Sequence, residues 1–498
     1  MIRTFFNALH TTDSPAATVI ESGAICLSRS NLEQRVDSFA RQLRSMHIRC
    51  MALYADNGAD WVITDLACQR AAVTVVPLPL FFSDEQIRHA VSDGGVDAVV
   101  SDQVLDASLW GAETVPLSSY FVAGTTKIYR LQGNKAALLP PGTQKITFTS
   151  GTTGSPKGVC LTADQQFTLA NSLASVIALD KPTHLCVLPL STLLENLAGI
   201  YAPILAGGKI VTPPLADVGL NGSSGLNTHD LLACIDRHRP NSLILVPEML
   251  NALTLAAGAG WQPPPSLQFV AVGGGKVSPS LLARARSFGI PAYEGYGLSE
   301  CASVVSLNVA TDNRVGSVGR PLPHVSVTTI DGEIVVSGST FLGYANKAES
   351  WGADAVHTGD IGHIDEDGFV YVDGRLKHQL ITSFGRNLSP EWVESELLAG
   401  PLLQQAVVVG DGRPHCVALI FPHARATSNQ DISNWINTVN IKLPDYARIA
   451  NWHRLPAALH PHDGLLTENG RPKRRNIEQR YRSAIADMYH ARQEASNA

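Results

Sequence analysis

The sequence has few cysteines, no long apolar run and no excess of positive charge, and each absence excludes a class of protein. The eight cysteines among 498 residues are scattered, without the spacing of zinc ligands or of a disulfide scaffold. The longest apolar stretch, 71–82, is interrupted by Pro77 and Pro79 and falls short of the ~20 residues that a membrane span needs. A formal net charge of −6 lacks the basic footprint of a nucleic-acid binder.

The N-terminal segment has no apolar run of signal-peptide length, so we expect a soluble, cytoplasmic protein. Helical and strand patterns alternate up to about residue 307, beginning with apolar residues at helical spacing over Leu32–Leu43. This alternation predicts parallel sheets covered by helices. Paired β-rich runs around turn signals, such as VSVTTI-DG-EIVVSG over 325–338, predict antiparallel hairpins between Val315 and Tyr371.

The C-terminal part has a different pattern, and we place a domain boundary between residues 373 and 374. The segment KHQLITS (377–383) is expected to form a strand, and 406–421 a hairpin. SPEWVESELLAG is expected to form a helix that Ser389 caps and Pro390 begins. In the N-terminal part, VLPLSTLLEN (187–196) is also strand-like.

A glycine-rich segment, TSGTTGSPKGV over 149–159, follows the strand-like KITF. Glycines permit a close approach of the backbone, hydroxyls donate hydrogen bonds and a lysine supplies charge, as a polyphosphate site requires. It is not a Walker loop, because Pro156 and Gly158 stand where that motif needs glycine and a hydroxyl. The candidate phosphate-binding residues are Thr149, Ser150, Gly151, Thr152, Thr153, Gly154 and Lys157.

This segment resembles the signature of the adenylate-forming (ANL) superfamily, and further motifs follow in the order of that family. They are VAVGGGKVSP (270–279), YEGYGLSE (293–300), VGSVGRPLP (315–323), HTGDIGHIDEDGFVYVDGRLKH (357–378) and ITSFGRNLSPEWVE (381–394). The last of these is similar to the CoA-contacting segment of the fatty acyl-CoA synthetase and AMP-dependent ligase branch.

The resemblance implies an α/β fold with a large N-terminal domain, 1–373, made of two parallel-type α/β subdomains and a small β-barrel. A small, mobile α+β C-terminal domain, 374–498, would follow as a lid with its hinge near Lys377. The lid of such enzymes swings between an adenylating and a thioester-forming pose, and Lys377 matches the hinge position.

The resemblance also assigns nucleotide contacts. Glu300 would coordinate Mg²⁺, a cation that favours oxygen ligands, and Ser299 would meet the α-phosphate of ATP. Asp360 would accept hydrogen bonds from the ribose hydroxyls, and Arg375 would contact ribose and phosphate. The residues expected around the adenine are Gly274, Gly275, Tyr296 and Gly297.

Two positions depart from the family pattern. The C-terminal lysine that contacts the carboxylate and the α-phosphate usually follows a glycine directly, but here Arg471 follows Gly470 and Lys473 comes two residues later. Lys473 could act through a shifted loop, or the planar fork of Arg471 could replace it. In PLSTLLEN, Thr192 stands where a histidine is usual, while Glu195 is kept.

The function implied is activation of a carboxylic acid, fatty or otherwise free of an α-amine, to acyl-AMP with release of pyrophosphate, followed by thioester formation with CoA. The implied cofactors are ATP and Mg²⁺, with CoA as cosubstrate, in fatty acid metabolism. One alternative is an acyl-AMP ligase that loads an acyl carrier protein. Another is a non-catalytic homologue that binds ligands without turnover.

Overall fold

The computed structural model describes residues 16–106, 109–110, 114–116, 126–131, 136–149, 156–222, 225–384, 386–467 and 470–496. The predicted residues Ser150, Gly151, Thr152, Thr153 and Gly154 lie outside these ranges. The described strands form four main sheets, named A to D in the following paragraphs.

Sheets A and B are the two large sheets. In spatial order, the strands of sheet A are Arg320–Pro321, Ser306–Leu307, Ala292–Tyr296, Phe269–Val272, Ser242–Leu245, Thr183–Leu185, Lys209–Val211, Thr18–Ser22 and Ile25–Ser28. Those of sheet B are Gly343–Tyr344, Lys157–Leu161, Lys145–Thr149, Thr74–Pro77, Cys50–Tyr54, Ala98–Ser101, Lys127–Leu131 and Thr114–Pro116. The central strand pairs of both sheets are parallel, as the alternating patterns predict. The outer pairs are antiparallel.

Helices cover the two large sheets, and one apolar core joins side chains from both sheets with helices 29–45, 59–71 and 163–177. The helices of this part are Arg29–Ser45, Ala59–Ala71, Asp84–Asp93, Ala163–Ile177, Ala202–Leu205, Thr228–His238, Pro247–Gly258 and Pro279–Ser287. In the first of them, the predicted apolar face, Leu32, Val36, Phe39, Ala40 and Leu43, is buried. Capping boxes from Ser83 and Thr162 fix the starts of two others.

Sheet C is antiparallel, with the strands Val325–Ile330, Glu333–Gly338, Ala355–Ile364 and Val370–Arg375. Asp331 and Gly332 connect the first two strands, both with positive φ (49° and 80°), as a two-residue hairpin turn of the favoured twist requires. Sheet D has the strands Leu403–Val409, Cys416–Pro422 and Ile449–Arg454. It packs with the helices Pro390–Leu398, Asn429–Lys442, Arg474–Arg480 and Arg482–Ser496.

Shorter elements complete the described chain. Two-residue strands pair as Leu220–Asn221 with Gly225–Leu226 and as Leu380–Ile381 with Asn387–Leu388. The 3-10 turns are Leu215–Val218, Ser299–Cys301, Ala348–Ser350, Leu376–His378, Asp445–Ala447 and Pro461–Asp463.

Three local predictions need correction. The strand expected over 187–196 is wrong, because the Thr192 N–H donates to the Pro189 carbonyl in a turn that leads into the π-helix Glu195–Tyr201. Only two residues of the strand expected over 377–383 pair. Ser389 precedes its helix as predicted, but its hydroxyl donates to the Glu391 carboxylate, 3.1 Å away, and caps no backbone N–H.

None of the helices formed by the described residues combines the length and the apolar character needed to cross a membrane.

Candidate nucleotide site

Asp360 lies where three strands bring polar side chains into contact. The residue is 3% exposed. The hydroxyl of Tyr296, at the end of its strand in sheet A, donates to one carboxylate oxygen over 2.6 Å. Arg375 is paired with Asp360 in sheet C, and its Nε lies 2.7 Å from the other oxygen. Three residues that the sequence separates by up to 79 positions therefore share one hydrogen-bonded cluster.

Burial dominates the electrostatics of this cluster. It raises the pKa of Asp360, while the Arg375 charge and the Tyr296 hydroxyl oppose the rise because both stabilise the carboxylate. Burial also raises the pKa of Tyr296, and the neighbouring Asp360 charge adds to that rise. The phenol therefore keeps its proton and acts as a hydrogen-bond donor.

Arg471 reaches this cluster from the C-terminal segment. Its Nη2 donates to the carbonyl oxygen of Gly274, 2.9 Å away, in the turn that follows the strand Phe269–Val272. Although Arg471 is exposed overall, desolvation by the surrounding groups lowers its pKa, and Arg375 adds to this effect. Asp360, Glu391 and Glu248 act in the opposite direction, and Arg471 thus lies among three carboxylates and a second guanidinium.

Lys473, the other candidate for the C-terminal cation, has a different environment. Its backbone N–H donates to the Leu465 carbonyl over 2.8 Å, immediately before the helix Arg474–Arg480. Like Arg471, it is exposed. In this structure the side chain that contacts the Gly274 turn is that of Arg471.

A short interface holds the C-terminal part against sheet A. The carboxylate of Glu396 accepts hydrogen bonds from Ser278, over 2.9 Å, and from Ser280, over 2.7 Å. Both serines lie at the N-terminus of the helix Pro279–Ser287, where a negative charge is favourable. The Asn251 side-chain amide donates to the Leu398 carbonyl, 3.2 Å away, and fixes the end of the same C-terminal helix.

A second group of candidate residues lies at the edge of sheet B. Thr149 and Lys157 are antiparallel partners, so the two ends of the glycine-rich segment are adjacent. The Lys157 ammonium lies 5.0 Å from the ring centroid of Tyr344. The hydroxyl of that tyrosine donates to Oε1 of Glu300 over 2.8 Å. Lys157 and Glu300, predicted from separate motifs, are thus linked through a single side chain.

The remaining candidates lie in turns near these groups. Gly274 has φ of 82°, a conformation that favours glycine, and Gly275 follows it. A Cβ at Gly297 would approach the Ser303 carbonyl oxygen to 1.7 Å, so only glycine fits there. Ser299 begins the 3-10 turn that contains Glu300, and Lys377 is exposed in the turn after Arg375.

Sequence reasoning missed Tyr344 and Glu248. Tyr344 follows a glycine in a short β segment and looks like any packed aromatic residue, so nothing marks it before the partners of its hydroxyl are known. Glu248 begins a helix behind Pro247, where a carboxylate is ordinary for helix stability. What distinguishes Glu248 is the positive charge of Arg471, which comes from the C-terminal part and opposes the rise in the pKa of Glu248.

A separate cluster, His184, Cys186 and Glu195, is fully buried with ligand atoms within 4.8 Å of one another. His184 Nε2 lies 3.1 Å from Glu195, and its Nδ1 lies 2.9 Å from the Ser242 hydroxyl. Both ring nitrogens of His184 therefore have protein partners, and we interpret the cluster as a hydrogen-bonded part of the core.

Comparison with known proteins identifies the family of the chain. Residues 7–344 match the family model described as AMP-binding enzyme, and residues 377–493 match that of the AMP-binding enzyme C-terminal domain. The chain belongs to the AMP-binding enzyme family. This confirms the resemblance to the adenylate-forming superfamily in its acyl-CoA synthetase branch.

Relatives in the AMP-binding enzyme family differ in the acids for which they are named. A long-chain-fatty-acid–CoA ligase, FadD15, of Mycobacterium bovis is 27% identical, with 88% of each chain covered. A 2-succinylbenzoate–CoA ligase of Bacillus mycoides is 28% identical, over 80% of this chain and 83% of the relative. An AMP-forming acid–CoA ligase is therefore supported as the class of enzyme, while the acid is left open.

Solved structures agree with the predicted fold. The O-succinylbenzoate CoA synthetase of Bacillus subtilis with AMP has a TM-score of 0.75 at 22% identity, covering 95% of this chain and 97% of that one. An anthranilate CoA ligase, AuaEII, with anthranoyl-AMP has a TM-score of 0.80 at 17% identity, covering 97% and 98%. At these identities the likeness confirms the α/β fold class and nothing about the substrate.

Proposed function

We propose that the chain activates a carboxylic acid without an α-amine, fatty or aryl, with ATP and passes the acyl group to CoA. The observation that carries this proposal is the contact of Arg471 with the Gly274 turn beside Asp360, Tyr296 and Arg375. Cationic and hydrogen-bonding groups from two parts of the chain converge there, as a reaction at a phosphate group requires.

The first step joins an oxygen of the substrate carboxylate to the α-phosphorus of ATP and breaks the bond to pyrophosphate. In the second, the CoA sulfur bonds to the acyl carbon, AMP leaves and the thiol proton is released. Asp360 and Arg375 would hold the ribose, the Tyr296 ring the adenine and Ser299 the α-phosphate. Arg471 would offset the charge that gathers at the reacting phosphate, with donors fixed in a planar fork.

The glycine-rich segment would bind the β- and γ-phosphates, with Lys157 as its cation. Mg²⁺ would neutralise phosphate charge when bound, and a Bacillus subtilis relative has been solved with ATP and a magnesium ion. Glu300 fits this ion, because a carboxylate is a hard oxygen ligand. Only one of its oxygens accepts a hydrogen bond from the residues that the structure describes.

The preference for an acid without an α-amine rests on the buried carboxylates near the segment 188–196. Glu195 is fully buried and lies 3.1 Å from His184. Asp65 is bound by the Lys145 ammonium, 2.9 Å away, and by the Tyr201 hydroxyl. Because each of these buried carboxylates already has a hydrogen-bonding partner, neither offers a counter-ion to a substrate ammonium group.

The test is ATP–pyrophosphate exchange with a panel of fatty acids, succinylbenzoate, anthranilate and α-amino acids, followed by thioester detection with CoA or with an acyl carrier protein. We expect exchange with at least one carboxylic acid that lacks an α-amine, and a thioester with CoA. Exchange only with α-amino acids would refute the substrate class. A thioester formed only on the carrier protein would show that the carrier protein, and not CoA, is the acceptor. ATP binding without any exchange would indicate a non-catalytic homologue.

A further inference from the structure

Tyr344 joins two charged residues that separate motifs supply. Its hydroxyl donates to Glu300 over 2.8 Å, while the Lys157 ammonium lies 5.0 Å from the centre of its ring. The face of an aromatic ring attracts a cation, and a phenol is a strong donor to a carboxylate. One side chain therefore contacts, by two different interactions, the cation that ends the glycine-rich segment and the carboxylate of the YEGYGLSE motif.

The backbone around Tyr344 is held at several points. Its N–H donates to the Ser350 hydroxyl over 2.9 Å, and its carbonyl accepts from the Trp351 indole over 2.8 Å. Gly343 has φ of 130°, and a Cβ there would approach Trp351 to 2.4 Å. The ring position is thus fixed by neighbours that do not touch the nucleotide cluster around Asp360.

The segment that contains the strand Gly343–Tyr344 also bonds to the backbone near Lys157 and at Glu300. It pairs with the strand Lys157–Leu161, in the register Tyr344 to Val159. The Phe341 N–H, three residues earlier, donates to the backbone carbonyl of Glu300 over 2.7 Å. The distance between Lys157 and Glu300 is therefore set through this segment and through the Tyr344 side chain.

The hydroxyl is the donor in its contact with Glu300, because an ionised carboxylate can only accept a hydrogen bond. This bond restricts the rotation of the Glu300 carboxylate. The second oxygen accepts no hydrogen bond from the described residues.

We propose that Tyr344 is a positioning residue that orients Glu300 for Mg²⁺ and holds Lys157 beside it, so that it sets the Mg²⁺ requirement for ATP binding. This inference rests on the proposed function, since it takes Glu300 as the Mg²⁺ ligand. Tyr344 acts through its two neighbours and not by contact with the reacting atoms. Residues that orient metal ligands typically change metal affinity by ~10–100-fold when they are replaced.

The test measures the Kd for ATP by calorimetry across a series of Mg²⁺ concentrations, without any acid. In Tyr344→Phe, which keeps the ring, we expect the Mg²⁺ concentration for half-maximal ATP binding to rise ~10-fold. ATP binding without Mg²⁺ should not change. In Tyr344→Leu, which also removes the aromatic face, we expect a further ~2- to 5-fold loss of ATP affinity even without Mg²⁺.

Tyr371→Phe is the matched control, because it removes a hydroxyl that donates to another carboxylate, that of Asp365, over 3.2 Å. It should leave the Mg²⁺ series unchanged. If Tyr344→Leu fails to fold, the comparison of Tyr344→Phe with wild type still decides the matter.

The inference is overturned if Tyr344→Phe has the wild-type Mg²⁺ requirement, or if it weakens ATP binding equally with and without Mg²⁺. In either case wild-type exchange activity would leave the proposed function intact. Conversely, a wild-type chain that binds ATP in a Mg²⁺-dependent way but exchanges pyrophosphate with no acid would refute the proposed function. The Tyr344 variants would still test the inference, because their ATP binding is measured without any acid. A wild-type chain that binds no ATP refutes both.

Discussion

Arg471 donates a hydrogen bond to the carbonyl oxygen of Gly274, although 197 positions separate the two residues. The contact brings a guanidinium from the C-terminal part to the turn that follows the strand Phe269–Val272 in sheet A. Asp360 and Glu248 lie close enough to affect its ionisation. Arg471 thereby adds to the contacts that connect the part of the chain that precedes residue 374 with the part that follows it.

Replacing this arginine should slow acyl-adenylate formation. We expect Arg471→Ala to lower the rate of ATP–pyrophosphate exchange by ~100-fold, the usual cost of removing one group that stabilises developing charge. Arg471→Lys should recover part of the rate, because it restores the charge without the planar fork. Lys473→Ala is the matched control and should stay near wild type. A large loss in Lys473→Ala with a normal rate in Arg471→Ala would transfer the role to Lys473.

Asp360→Asn should weaken nucleotide binding. The substitution keeps the size of the side chain but removes the charge that holds Arg375 at 2.7 Å and accepts from Tyr296 at 2.6 Å. Hydrogen bonds to charged groups are strong enough that we expect the Kd for ATP to rise ~10-fold or more. Calorimetric titration with ATP measures this. Asp373→Asn, at an exposed carboxylate, is the control, and an equal effect in both variants would contradict the assignment.

His324 should make stability depend on pH near neutrality. Burial lowers the pKa of His324 to about 4, against an ordinary value of 6.5. The unfolded chain therefore takes up a proton more readily than the folded chain between these values. The free energy of unfolding is therefore not reduced by His324 above about pH 6.5, and it decreases as the pH falls from 6.5 towards 4.

From pH 8 to pH 5 this group should cost about 1–2 kcal/mol of folding free energy. Thermal unfolding across that pH range should show a smaller decrease for His324→Leu than for wild type. His229→Leu changes a histidine whose side chain is 90% exposed and should follow the wild-type curve. If the melting temperatures of all three proteins fall equally with pH, His324 does not cause the pH dependence of stability.

Much of the fold and part of the site can be predicted from the sequence, because they depend on local patterns. Alternating helices and strands predict the parallel sheets, and the DG turn predicts the first hairpin of sheet C. Asp360, Tyr296 and Arg375 each belong to a recognisable motif, and the structure brings them into contact. The role of each toward a nucleotide remains a prediction.

Other features depend on contacts between distant segments. Whether Arg471 or Lys473 faces Gly274 is decided by how the C-terminal part docks, which no local pattern encodes. Tyr344 becomes distinctive only through Glu300, which lies 44 positions away. The segment 187–196 has the apolar content of a strand, yet the turn between Pro189 and Thr192 directs it into a π-helix.

The contact of Glu396 with Ser278 and Ser280 has a consequence for chimeric enzymes built from this chain. Because a carboxylate of one part is matched to two hydroxyls of the other, a grafted C-terminal part that lacks a carboxylate at this position would leave both serines without their acceptor. We therefore expect a chimera to keep the contact between its two parts only when Glu396, Ser278 and Ser280 all come from the same parent enzyme.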